Sequence, residues 1–321
     1  MSERRWSVDA PARLAAEVKT QLELSHRKAQ GLIDRGAVRV DGAVVTDHGA
    51  RLEAGAEIVV RTDAPRRRVD GAPPLASILH EDTHIVVVAK PPGLLTVPRD
   101  AHRELPVSRR EPNLEDWLRE RDVKRGERPQ IHVVQRLDRG TSGVLLFART
   151  KLAAETLKPA FARHEIDRRY QAIVLGAPPL DEGTLAHKLV EKPGDGRSRV
   201  IAAHPTEPGA KDAVTHYTVL ERFTSPDRST RATRLELRLE TGRRNQIRVS
   251  CAIAGFPLLG DATYGEASEL IARPALHAAF LGFRHPRSKE RMEFSMETPA
   301  DLADAWSAVI AGRAGSDETS D

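Results

Sequence analysis

Between residues 12 and 62 the apolar positions switch from a helical period to a period of two. Leu14, Val18 and Leu22 recur four apart, as one face of a helix does. Ser25 is a good N-cap for a second helix in which Ala29, Leu32 and Ile33 face inward, and Gly36 ends it. AVRVDGAVV then alternates about Asp41-Gly42, a dipeptide suited to a hairpin turn, and EIVVR supplies a further short strand. Two helices followed by a small sheet bury little apolar surface, so residues 1–62 are expected to be an appended binding domain.

Residues 63–77, TDAPRRRVDGAPPLA, have the Pro, Gly and Arg content of a linker. ILHEDTHIVVVAKPPGLLTVP predicts a strand and then a Pro-Pro-Gly turn. Residues 98–130 are polar and charged, with Asn113 capping a short helix that bears Leu114, Trp117 and Leu118. The run VVQRLDRGTSGVLLFAR, residues 133–149, ends as a buried strand, yet Arg136, Asp138 and Arg139 stand at its entrance. Unpaired buried charges are expensive, so these are either paired or functional.

Leu152, Thr156, Leu157 and Ala160 mark a helix, RRYQAIVLG a strand, and residues 177–211 a loop-rich stretch. HYTVLERF and TRLELRLE alternate again. Strands joined by short loops with few helices predict an α+β fold, a mixed and mainly antiparallel sheet over residues 78–312. Residues 313–321, RAGSDETSD, are expected to be a disordered tail.

Composition adds less. Fifty Lys and Arg against 46 acidic residues give a net charge of +4, so any basic patch must come from arrangement rather than bulk excess. Most of the basic residues are arginines, suited to bidentate phosphate contacts. Cys251 is the single cysteine, which excludes an intrachain disulfide and points to a reducing compartment. The N-terminus lacks an apolar signal core, and no segment approaches the ~20 apolar residues of a membrane span. The expectation is a cytoplasmic protein with no membrane partner, and the polar insertions favour a monomer.

The 12 histidines are scattered, and no Cys/His or His-x-x-x-His cluster with ligand spacing is expected. A P-loop, a GxGxxG turn and a GxSxG elbow are absent. What remains is a carboxylate, Asp138, with arginines around it. A second dense motif, LETGRRNQIRVSCAIAGFPLLGDATYG, puts Arg243, Arg244, Asn245, Gln246 and Arg248 on a glycine-led turn entering an apolar helix or strand. Tyr170 in RRYQAIVLG and the segment RPALHA at residues 273–278 are the other dense features.

Taken in order from about Ile78 to Pro299, these segments resemble the RluA-type pseudouridine synthases, with RLDRGTSGVLLFAR as the most specific part. EDTHIVVVAKPPGLLTVP matches the opening segment of that family. RLAAEVKTQLELSHRKAQGLIDRGAVRVDGAVV with LEAGAEIVV resembles the S-four-type RNA-binding domain. The resemblance implies isomerisation of uridine in structured RNA, with rRNA the first expectation and tRNA the second. It implies neither metal nor cofactor, since the reaction has no redox step.

It assigns the nucleophile or base to Asp138, and to Arg248 the cation that keeps it ionised through a charge-assisted bond. Tyr170 would receive the extruded base, and Arg136 would fill the vacated stack or contact phosphate. Arg139, Arg243, Asn245 and Gln246 would contact RNA, while Ile247 and Leu276 are either an apolar wall or plain core. In the small domain Arg27, Lys28, Arg35 and Arg39 would face phosphates. Gln135, Asn245, Ser250 and Phe256 stand where relatives commonly have histidine. Gln and Asn still donate and accept hydrogen bonds, but they do not titrate near neutral pH. Two readings from other classes are a non-catalytic RNA-binding or ribosome-assembly factor and a glycosidase of free nucleosides.

Overall fold

The computed structural model describes residues 3–34, 37–45, 50–61, 76–192, 199–204, 206–225 and 231–311. Two units divide the chain, Met1–Pro73 with Leu105–Arg110, and Pro74–Glu104 with Glu111–Asp321. The division at 73/74 falls inside the stretch 63–77 expected to be the linker, whereas Leu105–Arg110, expected in the larger domain, is grouped with the first unit. The linker lies outside the described residues save for Ala76 and Ser77, and the 313–321 tail lies outside them entirely.

The first unit contains β1 (Glu3–Ser7), β2 (Ala12–Arg13), α1 (Leu14–Gln21), α2 (His26–Asp34), β3 (Val38–Val40), β4 (Ala43–Val44), β5 (Arg51–Leu52) and β6 (Glu57–Arg61). One sheet runs β1-β6-β3-β4, and β2 pairs with β5. The predicted inward residues Leu14, Val18, Ala29, Leu32 and Ile33 form its core with Val38, Ile58 and Val60. Asp41 and Gly42 both have positive φ, 49° and 79°, as the tight turn between β3 and β4 requires. Strand β1 is an addition to the expected elements. Its sequence ERRWS holds one large apolar side chain, Trp6, and so carries no alternation to read.

Lys28 and Arg39 are exposed, and Arg39 Nη1 donates to Gly42 O at 2.8 Å, bracing the hairpin. The Arg27 side chain, Arg35 and Gly36 lie outside the described residues.

The second unit is built on an 11-stranded sheet. Its elements are β7 (Ser77–Glu81), β8 (Ile85–Lys90), α3 (Leu114–Lys124), β9 (His132–Val133), β10 (Ser142–Ala148), α4 (Lys151–Ala162), β11 (Asp167–Leu175), β12 (Glu182–Lys192), β13 (Arg199–Ala202), β14 (Lys211–Thr224), β15 (Arg231–Leu239), α5 (Gln246–Ile253), β16 (Leu276–Arg284), β17 (Arg291–Ser295) and α6 (Ala300–Ile310). The order is β13-β12-β14-β15-β11-β16-β10-β8-β7, with β17 beside β16 and β9 beside β10. The pairings are antiparallel except that of β10 with β16, so the mainly antiparallel α+β expectation holds.

The run VLLFA is continuous because both faces of β10 are covered. Leu145 and Phe147 pack towards Leu114 and Leu118 of α3, while Val144 and Leu146 pack towards Ala153 and Leu157 of α4. Four details differ from the sequence expectation. The segment expected to give one strand gives two, β7 and β8, because Asp82 Oδ1 accepts from the backbone N–H groups of His84 (2.6 Å) and Ile85 (2.9 Å) and turns the chain. The buried seam of α4 is Ala153, Ala154 and Leu157, and Leu152 is exposed.

The stretch 177–211 contains β12 and β13 rather than loop alone; of the eleven residues of β12 only Leu185, Leu189 and Val190 are buried, too few for a clear period. Helix α6 is the fourth, and it packs Leu302, Ala305, Trp306 and Val309 against Ile173 and Leu259.

Candidate active site

Asp138 lies on the loop between β9 and β10, and that loop is pinned from several sides. Thr141 N donates to Asp138 O at 3.0 Å, closing a tight turn. Lys90, only 1% exposed, donates from Nζ to Pro91 O (2.9 Å), Leu94 O (2.8 Å) and Arg139 O (3.2 Å). Burial lowers its pKa to about 7, with Asp138 pulling the other way. Thr96 Oγ1 donates to Leu137 O at 2.8 Å and accepts from Leu137 N at 3.1 Å. Arg273 Nη1 donates to Gly140 O (3.0 Å) and Leu276 O (3.1 Å), while its Nε and Nη2 hold Asp301 of α6 at 2.6 and 2.8 Å.

Lys90, Thr96 and Arg273 were not singled out for this role by sequence. Each acts on a backbone carbonyl or amide far along the chain, and no local pattern signals that.

The carboxylate of Asp138 opens onto a cavity of about 410 Å³. Arg136, Tyr170, Arg243, Asn245, Arg248 and Leu276 are among the residues that line it, and Asp138 is the one carboxylate of the described lining. Asn245 is the residue in contact with it. With the amide nitrogen turned to the carboxylate, it donates to Asp138 Oδ1 and Oδ2, at 3.1 and 2.9 Å, while the oxygen accepts from Tyr264 Oη at 3.1 Å; the opposite orientation instead accepts from Arg248 Nη1 at 3.3 Å and sets its oxygen against the carboxylate. Asn245 precedes α5 in the left-handed region (φ 53°), which asparagine tolerates.

The bond expected between Arg248 and Asp138 is replaced by another. The Arg248 fork is taken bidentately by Asp261, Nε to Oδ2 and Nη2 to Oδ1, both at 2.6 Å, over the Tyr264 ring. Its charge still acts on Asp138 through space. Burial pushes the Asp138 pKa up, Arg248, Arg244 and Lys90 pull it back, and Asp261 adds to the rise; the net direction is upward. Tyr170 is 7% exposed, and its phenol is raised by burial, with Arg168 opposing and Asp138 reinforcing.

The remaining expected residues divide. Arg136 and Arg243 are exposed on the cavity wall, the latter donating from Nε to Asp212 O at 2.9 Å. Arg139 is exposed but is not part of the lining, and its Nε donates to Gly93 O at 3.0 Å. Gln246 lines the cavity, yet its amide is committed inside the protein: it accepts from Thr241 Oγ1 (2.7 Å) and Arg243 N (2.9 Å) and donates to Val214 O and Thr215 Oγ1 (both 3.0 Å). Ile247 and Leu276 are buried and lie on the wall, so the two readings offered for them coincide.

Of the four positions where histidine is absent, Gln135 and Asn245 reach the cavity. Ser250 is fully buried elsewhere on α5, and Phe256 packs edge-on to Tyr217 at 6.0 Å. Contrary to the expectation, His80 and His84 do have the His-x-x-x-His spacing, but one lies on β7 and the other in the turn after it, not on one helix face. Among the described residues no group of three or more His, Cys, Asp or Glu is arranged to hold a metal ion.

Residues 84–253 match the model of the RNA pseudouridylate synthase family, a span that includes Asp138, Tyr170, Asn245 and Arg248. The chain belongs to that family. Residues 13–58 match the S4 domain. The chain is 34% identical to an uncharacterized RNA pseudouridine synthase, YlyB, of Bacillus subtilis, over 89% of each chain. It is 32% identical to ribosomal large subunit pseudouridine synthase D of Vibrio cholerae, over 90% of this chain and 87% of that protein. Among solved structures, human RNA pseudouridylate synthase domain containing 1 superposes with a TM-score of 0.54 at 26% identity, over 71% of this chain and 86% of that one. The enzymes of this family are isomerases acting on RNA.

Proposed function

We propose that this chain isomerises uridines of large-subunit ribosomal RNA and that Asp138 carries the chemistry. The observation behind the assignment is the placing of Asp138: the one carboxylate among the described lining residues of a nucleotide-sized cavity, with the Asn245 amide against both oxygens and Arg248 close by. Pseudouridine formation breaks the bond from uracil N1 to ribose C1′ and joins C5 to C1′. The C5 hydrogen leaves and N1 gains one, so atoms are conserved and no redox partner enters. Attack on C6, attack on C1′ and abstraction of the 2′ proton all require an ionised carboxylate. The cations around Asp138 oppose the burial that would protonate it.

Tyr170, buried beside Asp138, offers a ring for the extruded uracil to rest on, and Leu276 and Ile247 offer an apolar wall. Arg136, exposed next to the loop, suits the stack that the uridine vacates. Lys28 and Arg39 on the S4 unit suit phosphate contacts. The name of the Vibrio cholerae relative supports the ribosomal target. The test is tritium release from [5-³H]uridine transcripts of large-subunit rRNA and of tRNA, expected from the former and not the latter. RNA binding without release from any transcript would favour a non-catalytic factor, and cleavage of free uridine would favour a glycosidase.

In this reading Asn245 positions the carboxylate. Asn245→Ala removes two donors and is expected to lower single-turnover kcat on rRNA about 10- to 100-fold with little change in KM. Asn245→Asp sets a second carboxylate against the first, so the acid limb of the rate profile moves to higher pH. An unmoved acid limb in Asn245→Asp would remove Asn245 from this role.

A further inference from the structure

Among the cations of the cavity wall, Arg168 is the most deeply buried, at 8% exposed, and it meets no carboxylate among the described residues. Its Nη2 donates to Leu239 O at 3.3 Å, its Nε is buried without a hydrogen-bond partner, and its guanidinium carbon lies 5.7 Å from the Phe161 ring centroid. A guanidinium withdrawn from water without a counter-charge is costly, and the cost is relieved when an anion arrives. Arg168 stands two residues before Tyr170 on β11, so the two side chains share one face of the strand. Both line the cavity that Asp138 opens onto.

The wall around Arg168 is positive. Lys158 and Arg243 are exposed lining residues, as is Gly242. Gly242 leaves space for the guanidinium, since a Cβ there would sit 3.0 Å from Arg168 Nη1. By contrast, the Arg248 fork is already occupied by Asp261. The open hydrogen-bonding capacity and the uncompensated charge therefore coincide at Arg168.

We propose that Arg168 binds a phosphate of the nucleotide held in the cavity, with Lys158 and Arg243 at the rim completing an anion pole. This rests on the reading that the cavity receives an RNA nucleotide. It goes further by dividing the cavity into a uracil end at Tyr170 and Asp138 and a phosphate end at Arg168. The contact differs from ordinary backbone contacts on an open surface in being made by a desolvated cation, and it is correspondingly strong and weakly screened by salt.

The experiment is calorimetric titration of the full-length protein with uridine, uridine 5′-monophosphate and uridine 3′-monophosphate. At least one monophosphate is expected to bind the wild type about 10-fold or more tighter than uridine. Arg168→Gln erases that preference, Arg168→Lys keeps part of it, and Asp138→Asn keeps all of it. The Asp138→Asn arm separates this proposal from the catalytic assignment, because the phosphate preference survives there whether or not Asp138 is the nucleophile. If Arg168→Gln does not fold, Gly242→Ala crowds Nη1 from an exposed position and must reduce the preference in its place. Equal affinity for uridine and both monophosphates in the wild type, or a preference untouched by these substitutions, overturns the proposal.

Discussion

Asp138→Asn is expected to abolish tritium release from [5-³H]uridine rRNA, by at least about four orders of magnitude, while raising the melting temperature at neutral pH. The first effect follows from losing the carboxylate that each route to pseudouridine requires. The second follows from electrostatics. Burial raises the Asp138 pKa in spite of Arg248, Arg244 and Lys90, so the folded protein holds this charge less readily than the unfolded chain does.

A carboxyl group with a raised folded-state pKa contributes its full stability below the unfolded value of about 3.9, and loses it as pH rises through the folded value. At pH 7 the wild type bears that loss and the amide does not. The melting-temperature difference, variant minus wild type, is therefore positive at pH 7 and shrinks as pH falls. The same shift places the acid limb of wild-type kcat/KM above the ordinary aspartate range. Residual turnover in the variant would remove Asp138 from the chemistry, and a lower melting temperature at pH 7 would mean that the cations outweigh burial.

The parts of this site legible in the sequence were those in which one residue type is needed within one short segment. RLDRGTSGVLLFAR states a charge at the mouth of a buried strand, and the structure places Asp138 there, with β10 covered on both faces. Tyr170 was legible for the same reason. What could not be read is how distant segments share their bonds. Arg248 was expected to bind Asp138, but Asp261, thirteen residues on and 1% exposed, takes the whole fork. Sequence cannot rank two aspartates competing for one guanidinium.

Asn245 was a departure from the family pattern on the page of the sequence, and only the fold reveals it as the donor to Asp138. Lys90 and Arg273 act through carbonyls, which no sequence pattern marks. In the fold, β12 and α6 differ in how legible they are: β12 buries three of its eleven residues, too few for a period, whereas Leu302, Ala305, Trp306 and Val309 give α6 a helical spacing.

Gly143→Ala is expected to have the largest structural effect of any single methyl group at this site. Gly143 has φ 127°, and a Cβ there would lie 2.2 Å from Ala278 O and 2.6 Å from Ala278 N. Both neighbours are backbone, so no side chain can turn aside. The contact is the parallel crossing of β10 and β16, in which Ser142 pairs with His277 and Gly143 with Ala278. To admit a methyl group the strands must part. The loop carrying Asp138 enters β10 at Ser142, the first residue of the crossing, and Leu276 of the cavity wall is next to His277. The variant should lose more than about 3 kcal/mol of stability, beyond the usual cost of overpacking, and express largely as insoluble protein.

Gly176→Ala separates steric clash from backbone strain. Its φ is also positive, 94°, but the nearest atom to an added Cβ is 3.6 Å away. That substitution should cost about 1 kcal/mol, the penalty of the left-handed conformation alone. Denaturant melts of the two variants against wild type test the comparison, and equal losses would mean that φ, not the strand crossing, determines the need for glycine at 143. Where Gly143→Ala is soluble at low temperature, its kcat should fall more than its KM rises, because parting β10 from β16 displaces the loop that aims the carboxylate.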